Sequence, residues 1–222
     1  MIAKGEPWGS PATTPADHEV TGDDRALAAA VAEHAGALIA FTPDASSELA
    51  RTVGLGPDAS NGEDDDREAM DLPMDVLALG DGSLAVNMVV FGTPPDALSR
   101  FSKRTALHIR ADGKIWFNDR GTTVVLAIGQ WLHGIDLVPR GHPGDGRVEI
   151  QAYRLDPGER RGMRKRLPQG AHLPHPRIPN RTARTIEIEA DEPLPLEVDG
   201  EVLAPVRRLR AEVRAGAYRL LV

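Results

Sequence analysis

The spacing of apolar residues changes character near Leu72. Before that point, two helix-like stretches flank one short apolar run. Asp23 is a good N-cap for a helix running to about His34 through Leu27, Ala30 and Val31, and Gly36 follows as a breaker. Leu38-Ile39-Ala40-Phe41 then reads as a buried strand ending at Pro43. A second helix is predicted from Ser46 to Val53, with Gly54 suited to a left-handed cap. Residues 1–22, rich in Gly, Pro, Ser and Thr, predict an irregular lead-in. Pro57 to Asp71 carries Glu63, Asp64, Asp65, Asp66 and Glu68, whose mutual repulsion predicts a solvated acidic loop.

After Leu72 the period shortens. Met74 to Leu79 and Ser83 to Phe91 flank Gly80-Asp81-Gly82, a hairpin signature. Strand-sized runs recur at Ala106 to Arg110, Ile115 to Asn118, Thr123 to Ile128, Arg147 to Leu155, Arg184 to Glu189, Leu194 to Val198, Leu209 to Val213 and Ala217 to Val222. One helix interrupts them, Pro157 to Leu167. The fold class expected is α+β and mostly β: an antiparallel sandwich-like domain over 72–222, preceded by a small α/β fragment at 23–56 and the acidic loop at 57–71.

Composition narrows the chemistry. The 222 residues contain no cysteine, which excludes disulfides, thiolate catalysis and cysteine-held metals. No apolar run is long enough to cross a bilayer as a helix, and no basic-then-apolar leader opens the sequence, so a cytoplasmic location is expected. The net charge of −7 is uneven. Residues 1–75 hold 4 Lys/Arg against 16 Asp/Glu, and the remainder holds 22 against 17. Arg160, Arg161, Arg164, Lys165 and Arg166 concentrate positive charge on the one late helix. Such a cluster is either an ordinary solvated face or an attractor for phosphate and anionic lipid, with the protein peripheral at a membrane. Nucleic acid is not expected, because the chain is acidic and its aromatics are too sparse for stacking. His172 and His175 lie in a proline-rich segment that does not aim two imidazoles at one ion.

Several short motifs fall in a definite order. Pro43-Asp44-Ala45-Ser46-Ser47-Glu48-Leu49-Ala50-Arg51 is followed by Gly129-Gln130-Trp131, then by Pro143-Gly144-Asp145-Gly146, and finally by Leu196-Glu197-Val198-Asp199-Gly200-Glu201. This order resembles the diacylglycerol kinase-like family of bacterial lipid kinases. The resemblance implies a nucleotide-side loop at Ser46, Ser47 and Glu48, and a structural cation at Asp145. It also implies a general base for the lipid hydroxyl at Glu201, with Asp199 beside it. The family's Gly-Gly-Asp-Gly-Thr phosphate loop has no match before Leu38, and the Gly-Thr of the second loop is replaced by Asp44-Ala45. Backbone N–H groups approach phosphate closely in glycine-rich loops, whereas a carboxylate repels it.

The expectation is therefore a catalytically impaired, truncated kinase relative acting as a binding or regulatory module, with no cofactor. The alternatives are an active enzyme using ATP and Mg²⁺ at a degenerate site, and a peripheral anionic-lipid-binding protein. A missing half also predicts exposed apolar surface, and so a protein partner or a homodimer.

Overall fold

A computed structural model describes residues 8–55 and 69–222. Most of the acidic loop expected at 57–71 lies outside the described residues; its last two residues, Met70 and Asp71, open a strand.

Along the chain come β1 (Ser10–Pro11), β2 (His18–Gly22), α1 (Asp24–Glu33), β3 (Leu38–Pro43), α2 (Glu48–Val53), β4 (Met70–Leu79), β5 (Leu84–Ala85) and β6 (Met88–Gly92). A 3-10 turn at Pro95–Ala97 leads to β7 (Thr105–Ala111), β8 (Lys114–Gly121), β9 (Thr123–Ala127), β10 (Trp131–Leu132), β11 (Ile135–Asp136) and β12 (Val148–Tyr153). Then follow α3 (Pro157–Arg166), a second 3-10 turn at Leu167–Gln169, β13 (Asn180–Ala183), β14 (Thr185–Val198) and β15 (Glu201–Leu221). The mostly-β α+β class holds.

Two long strands organise everything else. β14 and β15 form an antiparallel hairpin closed by Asp199-Gly200, with φ of +47° and +82°. Those signs define the two-residue turn that suits strand twist, and Asp and Gly are residues that tolerate it. The first half of β14 pairs with β7, and its last residues pair with β6. β6 continues through β9 to β12 and β13. The sheet folds over on itself, so inward residues of β4, β6, β7, β9, β12, β14 and β15 share one core that includes Leu77, Phe91, Ile109, Leu126, Ile150 and Ile188. β9 is buried at every position because both its faces are covered, and all of it but Thr123 is apolar. Val124 and Leu126 point into that core, while Val125 and Ala127 face a second core with Met163, Leu167 and Ile178.

The N-terminal part is a β–α–β unit. β2 runs parallel to β3, and β3 runs parallel to the end of β15. Asp23 caps α1 as expected, its Oδ1 accepting from Ala26 N at 2.9 Å. Leu27, Ala28 and Val31 bury one face of α1 in a third core with Ile39, Leu49, Met74 and Tyr218. Gly54 ends α2 in the left-handed conformation (φ +77°). The lead-in differs from expectation: His18–Gly22 is a strand, although His, Glu and Thr hid it from a reading by hydropathy. Among the described residues the exposed large apolar side chains are Phe101, Ile115 and Val202, none of them in this unit.

Candidate functional site

In open sheets with parallel strands, ligands bind beyond the carboxyl ends of those strands. Here those ends belong to β2 and β3, and the loops that leave them touch: Asp44 N donates to Gly22 O at 2.8 Å. Thr21-Gly22-Asp23-Asp24-Arg25 thus occupies a strand-to-turn-to-helix position.

Asp24 fills the mouth between the two loops. It is 3% exposed. Its Oδ1 accepts from Ser47 Oγ at 2.5 Å, and its carboxylate accepts from the N–H groups of Glu48 (3.2 Å) and Leu49 (3.0 Å). Ser47 Oγ in turn caps α2 by accepting from Ala50 N at 3.1 Å. Burial pushes the Asp24 carboxyl up to about 6, against the pull of those donors. Ser46 takes part in a separate local turn, its N–H and hydroxyl both donating to Asp44 Oδ1. Glu48 reaches the other way: its Oε1 accepts from Gly134 N at 2.5 Å, and Arg51 Nε stands 3.4 Å from Oε2. Ser46, Ser47 and Glu48 are therefore gathered at one place, but their polar groups are engaged with the protein itself.

Across the mouth stands the β14–β15 turn. The Asp199 carboxylate is buried and accepts three backbone N–H groups, from Val86 (2.8 Å), Asn87 (3.0 Å) and Met88 (2.9 Å). It thereby fixes the point where the chain leaves the β4–β5 hairpin and enters β6. Burial, then the nearby Asp24 carboxylate, raise its pKa to about 7. Glu201 lies at the surface beside Arg25, whose guanidinium is 3.5 Å from its carboxylate. Both side chains are about half exposed, 50% and 47%. The Glu48, Asp199 and Glu201 neighbourhoods meet around α1 and α2.

Two further charged groups escaped sequence reasoning. His133, at φ +50° in the turn between β10 and β11, sits between Asp96 (Nδ1···Oδ2 3.1 Å) and the buried Glu197 (Nε2···Oε1 2.8 Å). Hydrogen bonds that it donates to Asp96, then to Glu197, raise its pKa to about 10 despite partial burial. The other is Asp75, 1% exposed, which accepts from Gly146 N at 2.6 Å and Gly216 N at 2.9 Å. A lone acid in an apolar strand such as Met74-Asp75-Val76 was the available signal for Asp75. His133 had none, because its partners are distant in sequence.

Asp145 does not join the cleft. It closes a local turn, its Oδ1 accepting from Arg147 N at 2.9 Å, near the loop wrapped around Asp75. Among the described residues, no group of three or more His, Asp or Glu side chains is arranged to hold a metal ion. His142, His172 and His175 are likewise separate: His142 and His175 each accept a backbone N–H within their own loop, and His172 Nε2 bonds to Leu137 O at 3.0 Å. The basic cluster also splits. Arg161, Arg164, Lys165 and Arg166 are exposed, but Arg160 is 1% exposed and donates to the carbonyls of Leu155, Ser99 and Ser102. Arg160 is thus a tether, contrary to its expected place on an anion-binding face.

Comparison with known proteins agrees with this architecture. A search of curated proteins finds no match. Among solved structures, a diacylglycerol kinase from Bacillus anthracis str. Sterne superposes with a TM-score of 0.73 at 18% identity, covering 92% of this chain and 75% of that one. Yeast NADH kinase complexed with NADH superposes at 0.52 with 14% identity, over 93% of this chain and 61% of that one. An NAD kinase from Archaeoglobus fulgidus in complex with ATP gives 0.50 at 14%, over 92% and 76%. The model of the YegS C-terminal NAD kinase beta sandwich-like domain matches residues 94–222, more than half of the chain. With its diacylglycerol kinase-like fold and motif order, the chain belongs to that family.

Proposed function

We propose that this chain is a catalytically impaired member of the diacylglycerol kinase-like group, acting as a binding or regulatory module. The observation that carries this reading is the Asp24 carboxylate against the start of α2. It takes the Ser47 hydroxyl and the Glu48 and Leu49 N–H groups, the donors that would otherwise face a phosphate. A triphosphate arriving there would meet Asp24 and Asp44 at a few ångströms, where like charges repel strongly in a partly desolvated site. ATP with Mg²⁺ does not fit the residues present, and no transfer step is derived through it. Glu201 is ion-paired with Arg25 and has no phosphoryl group to work toward.

One observation favours the alternative of an active lipid kinase. The Arg25–Glu201 pair is solvent-exposed, and such pairs contribute about 0–1 kcal/mol, so Glu201 is easily released. Incubation with γ-labelled ATP, Mg²⁺ and diacylglycerol in mixed micelles separates the readings. The expected result is no labelled lipid above the level given by Glu201→Ala. Turnover that Glu201→Ala abolishes would establish the alternative.

A protein partner or second copy belongs to the same proposal. β2 pairs only with β3 among the described residues, so its other edge offers unpaired backbone groups to an added strand. No helix of the described residues is long and apolar enough to cross a membrane. A cytoplasmic location, peripheral at the bilayer, is part of the proposal.

Asp24 also provides a stability test of the same geometry. Asp24→Ala is expected to cost about 2 kcal/mol, since three donors lose a buried acceptor while the cost of burying a carboxylate is removed. Urea denaturation checks this; an unchanged midpoint would mean that the donors are satisfied in another way.

A further inference from the structure

The alternation of β12 sends Val148 and Ile150 into the main core and leaves Glu149 and Gln151 on the opposite face of the strand. Two irregular segments close over that face. One follows β11 and supplies Val138, Pro139 and Arg140; the other lies between α3 and β13 and supplies Gly170, Leu173 and Pro174. Between them is a cavity of about 520 Å³. Small-molecule sites commonly enclose about 300–1,000 Å³, so this one has room for a ligand. Asn180, opposite Gln151 in the β12–β13 register, completes the lining.

Most of the wall offers a ligand no polar contact. Val138, Leu173 and Pro174 are apolar, and Pro139 and Pro174 have no N–H to donate. Gln151 is already engaged: its Nε2 donates to Leu137 O at 3.3 Å, and its Oε1 accepts from Tyr153 Oη at 2.7 Å. Recognition therefore falls to the side chains of Arg140, Glu149 and Asn180. None of the three makes a side-chain hydrogen bond or an ion pair among the described residues. Burial raises the pKa of Glu149, Arg140 opposes the rise, and Asp145, held in its own turn, adds to it. A cation and a carboxylate thus line one cavity, close enough to influence each other, and neither is neutralised by contact. Partial burial of separated charges is costly until something bridges them.

We propose that this cavity binds a small zwitterion of the amino-acid or dipeptide class, its carboxylate on Arg140 and its ammonium on Glu149 and Asn180 Oδ1. A guanidinium receives a carboxylate through two parallel N–H donors. An ammonium has three donors and no acceptor, and a carboxylate beside an amide carbonyl supplies what it needs. An apolar ligand side chain then lies against Val138, Leu173 and Pro174. A ligand with a single charge would leave either Arg140 or Glu149 unpaired and further desolvated, so the site discriminates against it. The inference holds whether or not the mouth between the β2 and β3 loops takes nucleotide.

Chemical-shift titration of the isotope-labelled full chain tests it. The probes are L-leucine and L-leucyl-L-leucine, which distinguish a free amino acid from a dipeptide. At least one is expected to bind saturably, at millimolar affinity or tighter. Isoamylamine lacks the carboxylate and isocaproate lacks the ammonium; each should bind at least about tenfold more weakly, the worth of one charge-assisted hydrogen bond. Arg140→Ala and Glu149→Gln should each weaken zwitterion binding by a similar factor, about tenfold. Arg140 is exposed and Glu149→Gln keeps the shape of the side chain, so a melting temperature close to that of wild type checks that both variants fold. No saturable binding of either zwitterion would overturn the proposal. So would equal affinity for a singly charged analogue, or an affinity that neither substitution changes.

Discussion

Replacing Asp199 by alanine is expected to destabilise the protein by about 4 kcal/mol, the largest effect of any single substitution in the cleft. Three buried N–H groups, those of Val86, Asn87 and Met88, would lose their common acceptor, at about 1–3 kcal/mol each before relaxation. The backbone adds to this, since Asp199 sits at φ +47°, a region alanine adopts poorly. Part of the loss is recovered because a carboxylate with its pKa raised to about 7 no longer has to be buried. Asp199→Asn keeps one acceptor oxygen and tolerates the left-handed turn, so it should cost about 1 kcal/mol. Denaturant unfolding of both variants gives the comparison. A cost below about 1 kcal/mol for the alanine variant would show that water readily replaces the carboxylate.

The second large effect concerns His133 and pH. Between its two carboxylates, its folded pKa is about 10, raised above the ordinary 6.5 first by Asp96 and then by Glu197. The stabilisation it provides is complete below its unfolded pKa and disappears as pH rises through the folded one. Asp199 acts in the same direction lower down. Its folded pKa of about 7 exceeds the ordinary 3.8, so the fold holds a proton that the unfolded chain has released, and stability falls as pH climbs to 7. His172, with its pKa lowered by burial, opposes this only below 6.5. The melting temperature should therefore decline steadily from about pH 6.5 to 10. His133→Ala should lower stability at neutral pH by about 2 kcal/mol, discounted from the usual cost of orphaning a buried charge because His133 is 39% exposed. In that variant the decline above pH 8 should flatten. A wild-type melting temperature that is flat across this range would rule out the bridge as described.

How much of this could be read from the sequence depends on whether the signal was local. The capping of α1 by Asp23, the Gly54 stop of α2 and the β14–β15 turn at Asp199-Gly200 follow from residue chemistry within a few positions, and all were legible. The long strands were not. Thr185–Val198 reads as two runs because Asp191-Glu192-Pro193 interrupts its apolar alternation, yet the chain continues through a register shift. β2 was invisible because the burial pattern of His-Glu-Val-Thr-Gly is set by pairing with β3 and not by hydropathy. Missing β2 concealed the strand-to-turn setting of Asp23 and Asp24.

The candidate site divides along the same line. Ser47, Glu48, Asp199 and Glu201 were found through motif order, and the fold brings their neighbourhoods together. Asp145, found by the same means, serves its own loop, and Arg160, found through charge clustering, ties α3 to the Ser99–Ser102 turn. Asp24, Asp75 and His133 depend on contacts across 23 to 141 positions. No local pattern carries that information. The motifs therefore indicated descent well, while the residues that decide what the cleft can do came from the fold.

The central claim is that the place for nucleotide phosphates is filled by the chain's own Asp24 carboxylate, with Arg25 turned to Glu201. Isothermal titration of ATP with Mg²⁺ into the full chain tests it most directly. The account predicts no saturable heat at micromolar or tighter affinity; a micromolar, stoichiometric isotherm would contradict it.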